Sequence, residues 1–124
     1  MKFHLEQSEG INIIQSYQSD ELVINEKRYD SSLVVSPEII TEGWPVCSVE
    51  RLNEEHLTRV VEHRPEIVLL GTGEVFETVD PRWLVWFGQQ GIGLEVMDSG
   101  AAARTYNILA GEQRSVAAAI IFRS

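Results

Sequence analysis

Apolar residues recur along this chain with two different spacings, and the change from one to the other falls between Pro45 and Asn53. Before it, the spacing suits strands. Residues 2–7 and 11–18 read as two strands with a turn at Ser8-Glu9-Gly10; in the second, alternation puts Ile11, Ile13 and Tyr17 on one face. Leu22-Val23-Ile24 and Leu33-Val34-Val35 are two further short strands, which the polar stretch Asn25–Asp30 joins as a hairpin. Pro37 and then Gly43-Trp44-Pro45 end this part, because proline has no N–H to give to a ladder. An antiparallel meander is expected.

After the change, helical and strand patterns alternate. Asn53 is placed to cap a helix with Glu54 and Glu55 in its first turn, where the dipole favours acids. Leu57, Val60 and Val61 form its apolar stripe, His63 and Arg64 lie in its last turn, and Pro65 stops it. Ile67–Leu70 is a continuous apolar run, as in a strand covered on both faces. Asp80 caps a second helix, with Pro81 in its first position and Gly91 at its end. Trp83, Trp86 and Phe87 form one aromatic stripe on it, more in keeping with a core helix than a docking face, and Trp44 is a further anchor. Leu94, Val96 and Met97 mark the next strand, Asp98 caps a third helix that closes at Gly111, and Val116–Phe122 is a last strand.

Helical crossovers of this length imply parallel neighbours with right-handed connections. The chain therefore reads as one α/β domain over residues 1–124, with N-terminal antiparallel strands joined to a βαβαβ half. Open α/β sheets bind ligands outside the carboxyl ends of their strands. That rule brings Gly71-Thr72-Gly73 and Asp98-Ser99-Gly100 to one sheet edge, beside a helix start able to receive an anion, with Arg104 on the same helix to supply charge. Gly71, Thr72, Gly73, Asp98, Ser99, Arg104, Tyr106 and Asn107 are thus the candidate ligand-binding residues. A structural reading stands beside this one. The glycines permit a tight strand exit, Asp98 serves as a cap, the run Gly100–Ala103 lets the helix approach the sheet, and Arg104 pairs with Glu95 or Asp98.

The 44% hydrophobic content suits a folded chain and argues against disorder. The formal net charge of −9 disfavours nucleic acid and anionic membrane surfaces. With one cysteine, Cys47, no disulfide forms within the chain, and a buried, inert thiol is expected. The first ten residues lack the pattern of a signal peptide, and no apolar run approaches a membrane span, so the cytoplasm is the expected compartment. His4, His56 and His63 are too dispersed for a metal site, and Ser99 and Ser115 lack a nucleophile-elbow context. No nucleotide-binding glycine motif is present. No metal, cofactor or catalytic residue is expected.

The runs Pro65–Gly73, PEIVLLGTG, and Gly91–Leu109, GIGLEVMDSGAAARTYNIL, with the terminal Val116–Phe122, VAAAIIF, resemble an uncharacterised bacterial and archaeal domain family whose mitochondrial relative is an assembly factor of respiratory complex I. Gly43-Trp44-Pro45 is similar to a family turn. The resemblance implies a layered α/β domain with a mixed sheet, no established enzyme activity or cofactor, and, for the mitochondrial member, action through protein partners. Two functions follow: a non-enzymatic binding or assembly module with a protein partner, which is favoured, or a small anionic-ligand-binding or enzymatic site at the crevice of Thr72, Gly73, Asp98, Ser99 and Arg104.

Overall fold

A computed structural model describes residues 10–123 and arranges them in two sheets and three α-helices. The strand expected over 2–7, most of the turn that follows it, and His4 lie outside the described residues. Strands β1 (Ile14–Gln18), β2 (Glu21–Ile24) and β3 (Lys27–Tyr29) form an antiparallel sheet in that order. Strands β4 (Leu33–Val35), β5 (Ile40–Thr41), β6 (Ile67–Gly71), β7 (Gly93–Met97) and β8 (Val116–Ile120) form a second sheet in the order β5-β4-β8-β6-β7. In this sheet β4 is antiparallel to β5 and β8, while β6 is parallel to β7 and β8, so the sheet is mixed. Helices α1 (Glu54–Val61), α2 (Arg82–Gly88) and α3 (Ser99–Gly111) complete the α/β architecture.

The expected meander is divided between the two sheets. Asn25 and Glu26 both adopt left-handed φ, at 50° and 68°, the demand of a two-residue hairpin turn. The chain therefore reverses at once, and Lys27–Tyr29 returns along β2 instead of bridging to Leu33. The Lys-Arg-Tyr sequence of β3 has no apolar alternation to announce it. Leu33–Val35 pairs instead with the end of the chain, Leu33 opposite Ile120. In β1 the register slips between Ile14 and Ser16, and this bulge brings Ile14 and Tyr17, three residues apart, into the core. The expected face of Ile11, Ile13 and Tyr17 is corrected accordingly: Ile11 and Ile13 are only half-buried.

The central strands show why their sequences are apolar throughout. Leu33, Val35, Leu69, Val116, Ala118 and Ile120 face a core shared with the small sheet and α3. Val34, Val68, Leu70, Ala117 and Ala119 face the opposite core, closed by Leu57 and Val60 of α1 and by Trp83 and Phe87 of α2. Both sides of β4, β6 and β8 are thereby removed from water.

The helix ends follow the sequence signals in part. Asn53 Oδ1 accepts from His56 N–H at 2.9 Å as expected, whereas α2 begins at Arg82 with Pro81, not Asp80, in the cap position, and Asp80 Oδ1 accepts from Arg82 N–H at 3.0 Å from one residue before it. Helix α2 stops at Gly88, with Gln89 and Gln90 forming a turn before Gly91. Trp44 and Trp83 are buried and Trp86 half-buried, its ring meeting Phe87 edge to face at 5.0 Å. Cys47 is exposed, against the expected buried thiol. It follows Trp44 and Val46, whose side chains are buried.

His63 lies beyond the end of α1 and ties it to the β4–β5 hairpin. Its Nδ1 is 2.6 Å from Ser36 Oγ and its Nε2 is 2.8 Å from Thr41 Oγ1, so the neutral ring donates through one nitrogen and accepts through the other. Burial lowers its pKa below the ordinary value, against the smaller opposing pull of the Glu62 carboxylate. As pH falls the unfolded chain takes the proton first. The contribution of neutral His63 is complete above about 6.5 and is lost as pH falls below it toward the folded-state pKa. Urea denaturation between pH 7.5 and 5 is expected to show a flatter decline in stability for His63→Gln than for the parent; equal slopes would assign the decline to other groups.

Candidate functional site

Strands β6 and β7 run parallel to a last pair at Gly71 and Met97, so both loops leave the same sheet edge, as their spacing predicts. Between them the backbone is tightly laced. Thr72 N–H donates to Met97 C=O at 2.9 Å, Ser99 N–H donates to Gly73 C=O at 2.8 Å, and Ile121 N–H donates to Gly71 C=O at 2.9 Å. The hydroxyl of Ser99, wholly buried, accepts from Gly73 N–H at 2.9 Å and donates to Ile121 C=O at 3.2 Å. One side chain thus joins the β6 exit, the start of α3 and the chain just beyond β8. Asp98 accepts from Ala101 N–H at 2.9 Å as the cap of α3. The Thr72 hydroxyl, also buried, donates to Val75 C=O at 2.9 Å and accepts from Glu77 N–H at 3.1 Å, folding the next loop.

The small residues explain how closely these segments meet. A Cβ on Gly71 would stand 2.8 Å from Ser99 Oγ, 2.9 Å from Ser99 Cα and 3.2 Å from the Ala102 methyl. Gly73 has φ of 115°, which a side chain rarely tolerates. The face that α3 presents inward is Ser99, Gly100, Ala102, Ala103, Tyr106 and Ala110, spaced as one helical stripe.

Two residues that the sequence did not place at this edge, Tyr17 and Arg123, complete the surroundings. The Tyr17 ring lies 3.5 Å from where a Cβ on Gly100 would be and stacks on Phe122 at 6.0 Å. Burial raises the pKa of its hydroxyl, as do the nearby carboxylates of Glu74 and Asp98, with a hydrogen bond to Ser99 acting the other way. The stem of Arg123 runs past Gly73, and its Nη1 meets Glu77 Oε2 at 2.9 Å. Tyr17 comes from the small sheet and Arg123 from the far end of the chain, so no local motif could have marked them.

Of the candidate residues, Gly71, Thr72, Gly73, Asp98 and Ser99 converge, and their polar groups are engaged with one another and with neighbouring backbone. Arg104 does not join them in the interior: it is exposed on α3. Tyr106 and Asn107 point to the small sheet. The buried Tyr106 hydroxyl donates to Asn12 C=O at 2.7 Å, and burial raises its pKa strongly. Asn107 Nδ2 donates to Ile14 C=O at 2.7 Å while its Oδ1 accepts from Ile14 N–H at 2.9 Å. The side-chain amide thus stands in for a neighbouring strand at the start of β1. Among the described residues, no three His, Cys, Asp or Glu side chains gather as a metal site.

Several large apolar side chains are exposed, among them Ile108 on α3. Val75 and Phe76 in the loop after β6 are 69% and 52% exposed, and Leu84 and Val85 on α2 are 48% and 61% exposed. A shallow groove that includes Val85 is lined by Glu54, Arg82, Trp83, Val85, Trp86 and Gln89. Arg82 lies over the Trp83 ring at 4.5 Å, which holds one wall of the groove.

Residues 14–121 match the family described as protein of unknown function (DUF498/DUF598). The NADH dehydrogenase (ubiquinone) 1 alpha subcomplex assembly factor 3 of Xenopus tropicalis is 36% identical over 110 residues, which cover 87% of this chain and 60% of the relative. This chain therefore spans about three-fifths of the length of that assembly factor. A protein of Francisella tularensis named 13 kDa major membrane protein is 28% identical over 109 residues, covering 86% of this chain and 88% of the relative. The NMR structure of a Xanthomonas campestris protein, 35% identical, aligns with a TM-score of 0.81 over 97% of this chain and 92% of that one. Among the described residues no helix is long and apolar enough to cross a membrane.

Two substitutions separate the roles of this region. Gly71→Ala is expected to destabilise the fold by about 1–3 kcal/mol through overpacking, since the obstruction includes Ser99 backbone. Chemical denaturation measures it; an unchanged midpoint would show that α3 can retreat without loss. Asn107→Ala is expected to cost about 1–3 kcal/mol by leaving Ile14 N–H and C=O without their partner. Amide exchange should then quicken in β1 and β2 before the central sheet, and uniform acceleration would contradict the local role of Asn107.

Proposed function

The chain belongs to the DUF498/DUF598 family of proteins of unknown function, and from that membership we propose that it is a non-enzymatic, assembly-factor-like module that acts by binding another protein. The observation that carries this reading is the 36% identity to an assembly factor across 110 residues, which takes in most of both sheets and the helices. Its surface supports the same reading. Exposed Val75, Phe76, Leu84 and Val85, with a groove walled by Trp83 and Trp86, offer the apolar and aromatic groups that protein interfaces favour. The crevice supports it from the other side, because the hydroxyls of Thr72 and Ser99 are occupied in holding loops together.

The cytoplasm is the compartment this reading assigns. Association with a membrane, as in the name of the Francisella relative, would then come through a partner instead of a spanning helix. Likeness of fold does not by itself bring the relative's own complex to this chain, so the partner is left to be identified by the capture experiment.

The reading is tested by affinity capture from native lysate at low salt, comparing the parent with a Phe76→Asp, Val85→Asp double variant. The parent should retain a defined partner in constant proportion, and the variant should lose it. Both positions are exposed, so stability should stay within about 0.5 kcal/mol. A parent that retains no partner, or a variant that retains it fully, would count against the proposal.

A further inference from the structure

The sheet edges of this protein are not alike. In the five-stranded sheet β5 has two residues, too short to template another strand. In the small sheet β3 carries Lys27 and Arg28, and the start of β1 has both Ile14 backbone groups taken by Asn107. These are the shortness, charge and cover by which proteins blunt their edges. Strand β7 is different. It has five residues, and among the described residues no strand pairs with its outer side.

The ladder settles which groups face outward. Gly93 N–H donates to Glu66 C=O at 3.0 Å and Met97 C=O accepts from Thr72 N–H at 2.9 Å, both toward β6. In a regular strand the intervening residues turn the opposite way. Leu94 and Val96 therefore direct their N–H and C=O groups away from the sheet. Their half-buried side chains pack on the core under α1 and α2, while Glu95, on the other face, is exposed.

We infer that β7 is a docking edge for an extended segment of a partner protein, one in which a single Lys or Arg stands between two apolar residues. This rests on the protein-binding reading above and names the chemistry of the segment bound. In an antiparallel addition Leu94 and Val96 occupy hydrogen-bonded pairs. Glu95 then falls in the closer, non-hydrogen-bonded pair, at about 4.5 Å between Cα atoms. A cation opposite it is favoured and a carboxylate is penalised. The same geometry rejects a second copy of this chain: with Leu94 opposite Val96, Glu95 faces Glu95. The net charge of −9 adds to that repulsion and favours a cationic segment.

The test uses a cyclised β-hairpin peptide whose free strand reads Thr-Val-Lys-Val-Thr, and its counterpart with Glu in place of Lys, titrated into the protein by two-dimensional NMR. The Lys peptide should bind about fivefold more tightly than the Glu peptide, with Glu95→Lys reversing the preference. Binding should slow exchange of the Leu94 and Val96 amides, and Val96→Pro, checked for folding by circular dichroism, should abolish it. Equal affinities, an unmoved preference in Glu95→Lys, or shifts that spare β7 would overturn the inference. So would protection of the Leu94 and Val96 amides that grows with protein concentration in the absence of peptide, which would mark self-pairing. Partner capture separates this from the broader reading. A partner retained in full by folded Val96→Pro would overturn the edge and leave the binding module standing. A parent that captures nothing counts against the module, while the peptide titration still decides the edge.

Discussion

The closeness of α3 to the sheet at Gly71 is the constraint on which most of this structure depends. The helix start lies where any side chain on Gly71 would collide with Ser99, both hydroxyl and backbone. That approach lets the Ser99 hydroxyl reach Gly73 and Ile121 together, so three segments distant in sequence share one buried hydrogen-bonding group. A polar group held this way has no water to fall back on. The helix can sit so close only because the residues it turns inward are mostly small.

From that seat α3 organises the small sheet as well. Tyr106 and Asn107, on the second half of the helix, hold the chain at Asn12 and Ile14 through three hydrogen bonds. A three-stranded sheet of short strands has little independent stability. Here it shares one core with α3 and a face of the large sheet, where Ile14, Tyr17, Leu22 and Ile24 are buried with Tyr106. The two ends of α3 thus have separable tasks: Ser99 closes the loops at the sheet edge, and Asn107 completes the edge of β1.

This division bears on function. The polar residues that converge at the strand ends are bound to one another, and the carboxylates of Glu74 and Asp98 act on the same buried Tyr17 hydroxyl. Chemistry at the surface is left to the loop after β6, the outer face of α2 and the open side of β7. These are apolar or backbone-rich surfaces of the kind that recognise other chains. The family relation to named assembly factors points the same way.

By itself the sequence determined the helix caps at Asn53 and Asp98, the buried strand at Ile67–Leu70, its parallel neighbour at Leu94–Met97, and the convergence of their loops. Those features depend on local period, capping groups and glycine placement, all of which act within a few residues. The family was legible too, through runs long enough to carry a pattern. Only the tertiary structure decided the rest. The bulge that brings Ile14 into the core in place of Ile13, the pairing of Leu33–Val35 with the far end of the chain, and the exposed β3 depend on what lies opposite each strand. The roles of Tyr106 and Asn107 are of the same kind. Along the chain they are two polar residues on a small-residue helix. They become a clasp only when β1, more than ninety residues away, presents its backbone to them.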